Sequence, residues 1–404
     1  MKKLWILIFS VLVIISISGC IFDKISNGDL YSLQEKQINK IGYSIIKEYN
    51  KTSYVYSLLI DDLNNDENKE IIYTSLDDKQ DNLIHILDAS WDIKSTCLLG
   101  NSGNGREKIV LDDINDDGKK EIISAGSKYN SNLRYGYENY TLKIFDSNCT
   151  KLKEFTISKD IEETVGLYVT DIDNDGEKEI IIGIGKISII KNNKIENLSY
   201  TASSLYVDDI NDDNKKEILA GDNDIILVLD NEGKLLWKYS TKDWISEIYT
   251  GDIDSDGKKE IIVNSDGVYI LSSEGNLIKK LDIETSGKIF ISDLDGDGNN
   301  ELVVGSYVYD SKINLKWKYD LQVGDVNIGD LDNDDKIELV IIAAEIIGTN
   351  VPSATIFVFD AAGDLLWNYK HDTWINSITL NDINNDGNKE IIIGGQSLIV
   401  FGKK

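Results

Sequence analysis

The sequence contains little of several residue types that commonly build functional sites. Its 404 residues include one proline, one methionine, two histidines and three cysteines. Two histidines are too few for a histidine-rich metal centre, and one methionine excludes a methionine-lined binding surface. The sequence also lacks a nucleophile elbow, a phosphate-binding loop and a paired-cysteine metal site. The common catalytic motifs are therefore missing.

The N-terminus accounts for one of the three cysteines. Lys2 and Lys3 precede an apolar run from Leu4 to Ile17, which is soon followed by Cys20. The run is shorter than the roughly 20 apolar residues that a membrane-spanning helix needs. This pattern is typical of a lipoprotein signal peptide, residues 1–19, followed by a tether, residues 20–40, that is lipidated at Cys20. An uncleaved signal anchor is the alternative, and either arrangement puts the remaining chain on the outer side of the cell membrane.

The other two cysteines, Cys97 and Cys149, do not make a disulfide framework. An extracytoplasmic location permits a bond between them. The repeat alignment described below puts them near opposite ends of outer strands, so we expect no bridge. The sequence alone does not decide the question.

Positive charge is scarce as well. The chain has 42 Lys and Arg against 70 Asp and Glu, a formal net charge of −28. This excess excludes nucleic acid as a partner and disfavours an anionic lipid surface, so the membrane is reached only through the N-terminal lipid. An acidic chain can be disordered, but 41% of these residues are hydrophobic, which is enough for a sizeable core. The acidity therefore needs another explanation.

Much of the acid lies in a nonapeptide that recurs eight times, and such a repeat decides the fold. The copies read DLNNDENKE from Asp62, DINDDGKKE from Asp113, DIDNDGEKE from Asp171, DINDDNKKE from Asp209, DIDSDGKKE from Asp252, DLDGDGNNE from Asp293, DLDNDDKIE from Asp330 and DINNDGNKE from Asp382.

Strand-like runs and turn residues alternate around each copy. Four short strands per roughly 40 residues is the spacing of a propeller blade, and helical periodicity is absent after residue 50. The sequence therefore predicts an all-β, eight-bladed β-propeller of four-stranded blades over residues 41–404, with seven blades as the alternative. The last blade lacks one strand, and residues 43–50 are predicted to supply it and close the ring. Trp237, Trp317 and Trp367 recur in fourth strands, where we expect them to pack between blades.

The loops and their flanks, over about residues 43 to 402, resemble the FG-GAP or VCBS repeat family, which includes the integrin alpha-chain heads. This resemblance implies a calcium-bearing, non-enzymatic surface module that binds a glycan, an envelope component or another protein. The tryptophan-bearing fourth strands are similar, more weakly, to pyrroloquinoline-quinone-type propellers.

The residue chemistry of the loops agrees with calcium. Hard cations prefer oxygen ligands, and a tight turn brings alternate side chains together, here at positions 1, 3 and 5, with an acid at position 9. Ordinary solvated Asp and Asn turns are the alternative. The predicted Ca²⁺ ligands, in up to eight sites, are Asp62, Asn64, Asp66, Glu70, Asp113, Asn115, Asp117, Glu121, Asp171, Asp173, Asp175, Glu179, Asp209, Asn211, Asp213, Glu217, Asp252, Asp254, Asp256, Glu260, Asp293, Asp295, Asp297, Glu301, Asp330, Asp332, Asp334, Glu338, Asp382, Asn384, Asp386 and Glu390.

The loops should differ in affinity. Position 6 lies at a sharp turn that favours glycine and tolerates Asn or Asp. The first loop has Glu67 there and Asn64 at position 3, so it is predicted to bind calcium most weakly. Affinities on the order of 10⁻⁴ to 10⁻³ M are typical of extracellular modules.

Recognition is predicted on the face opposite these loops, where connections vary in length. Aromatic residues there could stack on sugars or anchor a protein partner, although they could equally plug the channel mouth. The candidates are Tyr129, Tyr135, Tyr137, Tyr140, Trp244 and Trp374.

An enzyme, either a polysaccharide lyase or a quinone-dependent dehydrogenase, is the alternative function. His85 lies in a strand-like run and is expected to be packed, which leaves His371 as the acid–base candidate. No catalytic residue and no quinone-binding residue is predicted. We expect the protein to be a monomer.

Overall fold

The computed structural model describes residues 37–50, 54–77, 81–100, 107–129, 137–158, 164–283, 287–345 and 353–403. These residues form β-strands and no helix, so the described part of the chain has no helix that could span a membrane. Cys20 and Tyr135 lie outside the described residues.

The strands form eight sheets, which we number as blades 1 to 8. Blades 1 to 4 contain β2 (Leu58–Asp61), β3 (Glu70–Leu76), β4 (Asn82–Leu87) and β5 (Ile93–Gly100); β6 (Lys108–Asp112), β7 (Glu121–Tyr129), β8 (Tyr137–Phe145) and β9 (Lys151–Ser158); β10 (Thr164–Thr170), β11 (Glu179–Lys191) and β12 (Lys194–Ala202); and β13 (Ser204–Asp208), β14 (Glu217–Asp222), β15 (Ile225–Leu229) and β16 (Leu235–Ser240).

Blades 5 to 8 complete the set. They contain β17 (Glu247–Gly251), β18 (Glu260–Asn264), β19 (Val268–Leu271) and β20 (Leu277–Leu281); β21 (Ile289–Ser292), β22 (Glu301–Val304), β23 (Tyr307–Tyr309) and β24 (Leu315–Lys318); β25 (Val323–Gly329), β26 (Glu338–Glu345), β27 (Ser353–Phe359) and β28 (Leu365–His371); and β29 (Ile375–Asn381), β30 (Glu390–Gly395), β31 (Leu398–Lys403) and β1 (Tyr43–Tyr49).

Within each blade the neighbouring strands pair antiparallel. In blade 3 the long strand β11 supplies two of the four strand positions. Its first half pairs with β10, and its second half, from Gly185 onward, pairs with β12. Gly185 has a φ of 58°, a left-handed conformation that suits glycine at such a bend.

First strands of neighbouring blades contact one another, for example β13 with β10 and β17, and β2 contacts β29. The blades therefore surround one axis in a closed ring. The protein is an eight-bladed β-propeller of four-stranded blades, and the seven-bladed alternative is wrong.

The predicted N-terminal closing strand is confirmed. β1 pairs antiparallel with β31 as the outer strand of blade 8, with Tyr43 opposite Lys403. The Tyr43 side chain is 1% exposed, and its hydroxyl donates to the main-chain oxygen of Leu331 at 2.9 Å. This contact ties the closing strand to blade 7 and removes an unpaired sheet edge.

The core lies between blades. Second strands are runs of Ile, Leu and Val that are buried on both sides, because each blade is covered by two neighbours. Trp317 and Trp367 are buried in this core, as predicted, and the Trp317 Nε1–H donates to the Ala361 oxygen of the next blade at 2.9 Å. His85 is also packed as predicted, stacked on Tyr73 at 4.7 Å between ring centroids.

One prediction about the fold is wrong. Cys97 and Cys149 form a disulfide with a Cα–Cα distance of 4.8 Å. The expected separation assumed that both residues lie in outer strands, but Cys149 lies in the turn between β8 and β9. That turn packs against β5 of blade 1, so the bond links two adjacent blades.

Candidate metal centres

Each nonapeptide forms the turn between the first and second strands of its blade. In the second copy, Oδ2 of Asp113 accepts the N–H of Gly118 at 2.8 Å. The same bond, from the N–H of position 6 to Oδ2 of the position 1 aspartate, occurs in all eight copies. The position 1 carboxylate therefore closes the turn, and because the strands alternate in direction all eight loops lie on one face of the ring. We call this the loop face.

Two positions in each loop have left-handed backbone. Position 6 has a positive φ in every copy, from 65° at Asp335 to 90° at Gly176, which confirms the predicted turn. Glu67 adopts a φ of 69° there, a conformation that its side chain disfavours. Position 4 also has positive φ throughout, which the sequence reasoning missed although the residue types signalled it: Asn65, Asp116, Asn174, Asp212, Ser255, Gly296, Asn333 and Asn385.

The position 9 glutamate is the buried element of each loop. The eight glutamates are between 1% and 8% exposed. In every copy Oε2 accepts the N–H of position 2, for example that of Leu331 on Glu338 at 2.7 Å. Since Oε2 is used in this way, Oε1 is the oxygen that remains to face positions 1, 3 and 5.

In four loops the carboxylates converge closely enough to share one ion. One oxygen from each member lies within 4.8 Å of the others in the sets Asp171, Asp173 and Glu179; Asp252, Asp254 and Glu260; Asp293, Asp295 and Asp297; and Asp330, Asp332 and Glu338.

The residues present fit a hard cation. The donor sets consist of carboxylate oxygens, which Ca²⁺ and Mg²⁺ prefer over nitrogen or sulfur ligands. Asp332 Oδ1 is buried and has no hydrogen-bond partner within the described residues. A buried oxygen of this kind is costly unless it is paired, and a cation in the loop would satisfy it. These clusters can therefore hold metal ions.

The buried glutamates carry a penalty for ionisation, which comes first from burial and then from the neighbouring aspartates. Burial, reinforced by the neighbouring aspartates, raises the pKa of Glu217, Glu260 and Glu390 to about 7. Burial also raises the pKa of Glu338 to about 7, with Asp332, Asp334 and Asp330 adding to the shift. A bound cation would favour the ionised carboxylates and remove this penalty.

The loops are also joined to one another, by residues that the sequence reasoning did not single out. The lysine at position 8 reaches the first strand of the preceding blade, where Lys120 pairs with Asp61 and Lys178 with Asp112, each at 2.6 Å. Lys259 pairs with Asp208 in the same way at 2.8 Å. The Lys-Glu pair that recurs at the end of the motif could have indicated these contacts. Its glutamate accepts a hydrogen bond from its own loop, and its lysine pairs with an aspartate of the preceding blade.

The predicted recognition face holds only part of the proposed aromatic surface. Trp244 and Trp374 are 55% and 44% exposed, and they precede the first strands of blades 5 and 8, so two other blades separate them. Tyr129 and Tyr137 pair across the β7–β8 hairpin. Tyr140 is 6% exposed and packs in the core between blades 2 and 3, so its proposal as a surface residue is wrong.

Tyr140 lies three residues beyond Tyr137 in β8, in the part of the strand that packs against blade 3. Tyr54 is 42% exposed and accepts a hydrogen bond from Gln396 Nε2 at 3.1 Å, next to the blade that carries Trp374. The half-buried His371 contacts the Thr373 hydroxyl at 2.9 Å.

Comparison with known proteins supports the fold and little more. Residues 288–398 match one family, described as ciliary BBSome complex subunit 2, middle region. No curated protein matches the sequence. The likeness to solved structures is one of fold.

Three solved propellers illustrate this likeness. The rhamnogalacturonan lyase YesW has a TM-score of 0.60 and 14% identity, over 90% of this chain and 75% of that one. The C-terminal WD40 domain of Sif2 has a TM-score of 0.61 and 12% identity, over 91% and 99% of the two chains. BBS1N, solved in complex with ARL6DN, has a TM-score of 0.50 and 10% identity, over 91% and 98%.

Proposed function

We propose that this protein is a calcium-stabilised propeller of the FG-GAP or VCBS type, held at the outer surface of a cell as a lipoprotein, where it binds a glycan, an envelope component or a protein. The observation that carries the proposal is the convergence of carboxylates in four of the repeated loops. A cation bound in such a loop would hold the first two strands of its blade together and offset the repulsion among the acids.

Calcium is the cation that the donor sets favour. The loops offer several carboxylate oxygens close together, which suits a cation that takes six to eight oxygen ligands. Magnesium demands a near-ideal octahedron and keeps several waters, so it suits such loops less well. The large acidic excess of the chain has its source here.

Calcium titration of chelator-treated protein tests the proposal. We expect saturable binding of several ions per chain, and the double variant Asp254→Ala and Asp332→Ala, which removes the position 3 oxygen ligand from two loops, should bind fewer. Asp282→Ala is the matched control, because the Asp282 side chain is 91% exposed and lies outside the loops. Equal calcium binding by the wild type and the Asp254/Asp332 variant, or no binding by either, would contradict the assignment.

Location outside the cytoplasm is supported by the disulfide. Bonds such as Cys97–Cys149 form and persist in oxidising compartments and are rare in the cytosol. The lipoprotein signal proposed for residues 1–19 leads to the same compartment. Metabolic labelling with a fatty acid should mark the wild type and fail to mark Cys20→Ser, whereas labelling of both would exclude Cys20 as the lipid site.

Recognition is proposed on the face opposite the loops. Trp244 and Trp374 are large apolar side chains left substantially exposed there, and such residues anchor sugars and protein partners. A propeller of the same fold, BBS1N, is solved in complex with a protein, ARL6DN. An array of glycans and envelope extracts, probed with and without calcium, should give a ligand that the wild type retains and the Trp244→Ala, Trp374→Ala variant does not.

A further inference from the structure

The outer strands carry a β-bulge at an equivalent position in seven of the eight blades. In blade 5, Ile270 pairs with Lys279 and Leu271 pairs with Leu277, so Ile278 is skipped. The skipped residues are Ile46, Lys94, Leu152, Leu236, Ile278, Lys316 and Leu366. Five are aliphatic and two are lysine.

The skipped residue lies beside the metal loop of its own blade. In blade 2, Leu152 lines a cavity together with the loop residues Asn115 and Glu121. A bulge re-aims the side chain that it adds, which accounts for this placement on an otherwise regular outer strand. The chemical type of the bulge residue therefore decides whether an apolar group or an ammonium group lies beside the loop carboxylates.

The two lysines at this position place their ammonium groups among the predicted metal ligands. Lys316 Nζ lies 2.7 Å from Asp295 Oδ2 and 2.9 Å from Glu301 Oε1. Lys94 Nζ lies 2.8 Å from Glu70 Oε1. In each case the lysine contacts the position 9 oxygen that the backbone leaves available.

Blade 3 has no bulge at this position, but a lysine from a different strand contacts its loop carboxylates. Lys191 ends β11, the strand that Glu179 begins. Its Nζ contacts Asp173, lies 2.7 Å from Asp175 Oδ2 and lies 3.2 Å from Glu179 Oε1. These are positions 3, 5 and 9 of the loop.

The loops of blades 5 and 7 differ. Each has a carboxylate at positions 1, 3, 5 and 9, and within the described residues none of these groups pairs with a lysine. Lys403 approaches the blade 7 loop, but its Nζ donates to the main-chain oxygen of Asp332 at 3.0 Å and not to a carboxylate. The bulge residues beside these two loops are Ile278 and Leu366.

We propose that five of the eight loops fall into two classes: in blades 1, 3 and 6 a lysine ammonium takes the place of the metal ion, whereas the blade 5 and blade 7 loops bind a divalent cation. The inference rests on the proposed calcium role. It predicts fewer tightly bound ions than loops, and it adds a second reason for weak binding at the Asp62 loop, where Lys94 lies.

Exchanging the bulge residues tests this inference on the full folded chain. Lys316→Leu should add about one bound calcium ion per chain, because it removes the ammonium group from Asp295 and Glu301 and gives blade 6 the leucine that blade 7 has at this position. Ile278→Lys should remove about one ion by placing an ammonium in the blade 5 loop. Equilibrium dialysis with elemental analysis counts the ions, and Lys238→Leu, an exposed outer-strand lysine, is the control.

The outcomes separate this inference from the proposed function. If the wild type binds no calcium, the proposed function fails. If the wild type binds calcium but neither exchange changes the number of ions, the two-class assignment fails while the calcium role stands. A melting curve for each variant in chelator shows whether the chain remains folded, so a lost ion can be distinguished from a lost fold.

Discussion

The loop face and the opposite face of the ring are built in different ways. On the loop face, every blade repeats the same hydrogen bonds from position 6 to position 1 and from position 2 to position 9. On the opposite face the connections differ from blade to blade, and exposed tryptophans occur before blades 5 and 8. A set of hydrogen bonds that repeats in every blade serves the folding of the blade, because folding is the one requirement that all eight blades share. Recognition of a particular partner is more readily carried by residues that do not repeat.

Removing calcium should give the largest effect, because it acts on several loops together. A site with a dissociation constant of about 1 mM contributes roughly 1.4 kcal/mol at about 10 mM calcium, and several such sites add to several kcal/mol. We expect excess chelator to lower the melting temperature by on the order of 10 °C. Magnesium at the same concentration is the control, and a melt that chelator leaves unchanged would place the stabilisation elsewhere.

Loss of the disulfide should give the second-largest decrease in the free energy of unfolding. The bond joins residues 52 apart and ties the β8–β9 turn of blade 2 to blade 1. Closing a loop of that length is worth roughly 4 kcal/mol through the unfolded chain. Urea unfolding of the Cys97→Ser, Cys149→Ser variant, compared with the wild type under oxidising conditions, measures it. Both proteins should behave alike in reductant, and a loss below about 1 kcal/mol under oxidising conditions would contradict the expectation.

The calcium-free protein should lose stability as the pH rises from 5 to 8. Burial raises the pKa of Glu217, Glu260 and Glu390 from 4.5 to about 7, so the folded state favours their protonated forms. Their contribution is complete below the unfolded pKa and is lost as the pH passes the folded pKa. Glu260→Gln should make this slope shallower, because it removes one of the three groups, whereas Asp282→Asn should leave it unchanged. Calcium should reverse the slope, because its ligands must be ionised.

Most of the fold was predictable because the motif repeats. Eight acidic nonapeptides, spaced by the length of a blade, indicated eight blades, and the strand missing from the last blade indicated closure by residues 43–50. Position 6 was predicted correctly as a sharp turn, since residue type and spacing together specify it.

What the sequence did not reveal depends on contacts between blades. The Cys97–Cys149 bond and the Lys120–Asp61 pair join residues of neighbouring blades, and no pattern within a single repeat encodes their distance. The Lys316 contact depends on a bulge, which changes the direction of one side chain without leaving a mark in the hydrophobic pattern. Tyr140 was misplaced for a similar reason, because its burial comes from packing against the neighbouring blade.

The smallest effect on stability should come from the opposite face. Trp244 and Trp374 leave about half of their surfaces exposed, so truncating both removes little buried apolar area. We expect Trp244→Ala, Trp374→Ala to change the free energy of unfolding by no more than about 0.5 kcal/mol per site while it abolishes retention of the ligand found in the array. Leu98→Ala, at an exposed leucine of the outer strand β5, is the matched control and should keep both properties. If the double variant melts several degrees below the wild type, the two tryptophans are structural, as the loops are, and the two faces do not differ in this respect. If the double variant is stable and still binds the ligand, recognition lies on another surface.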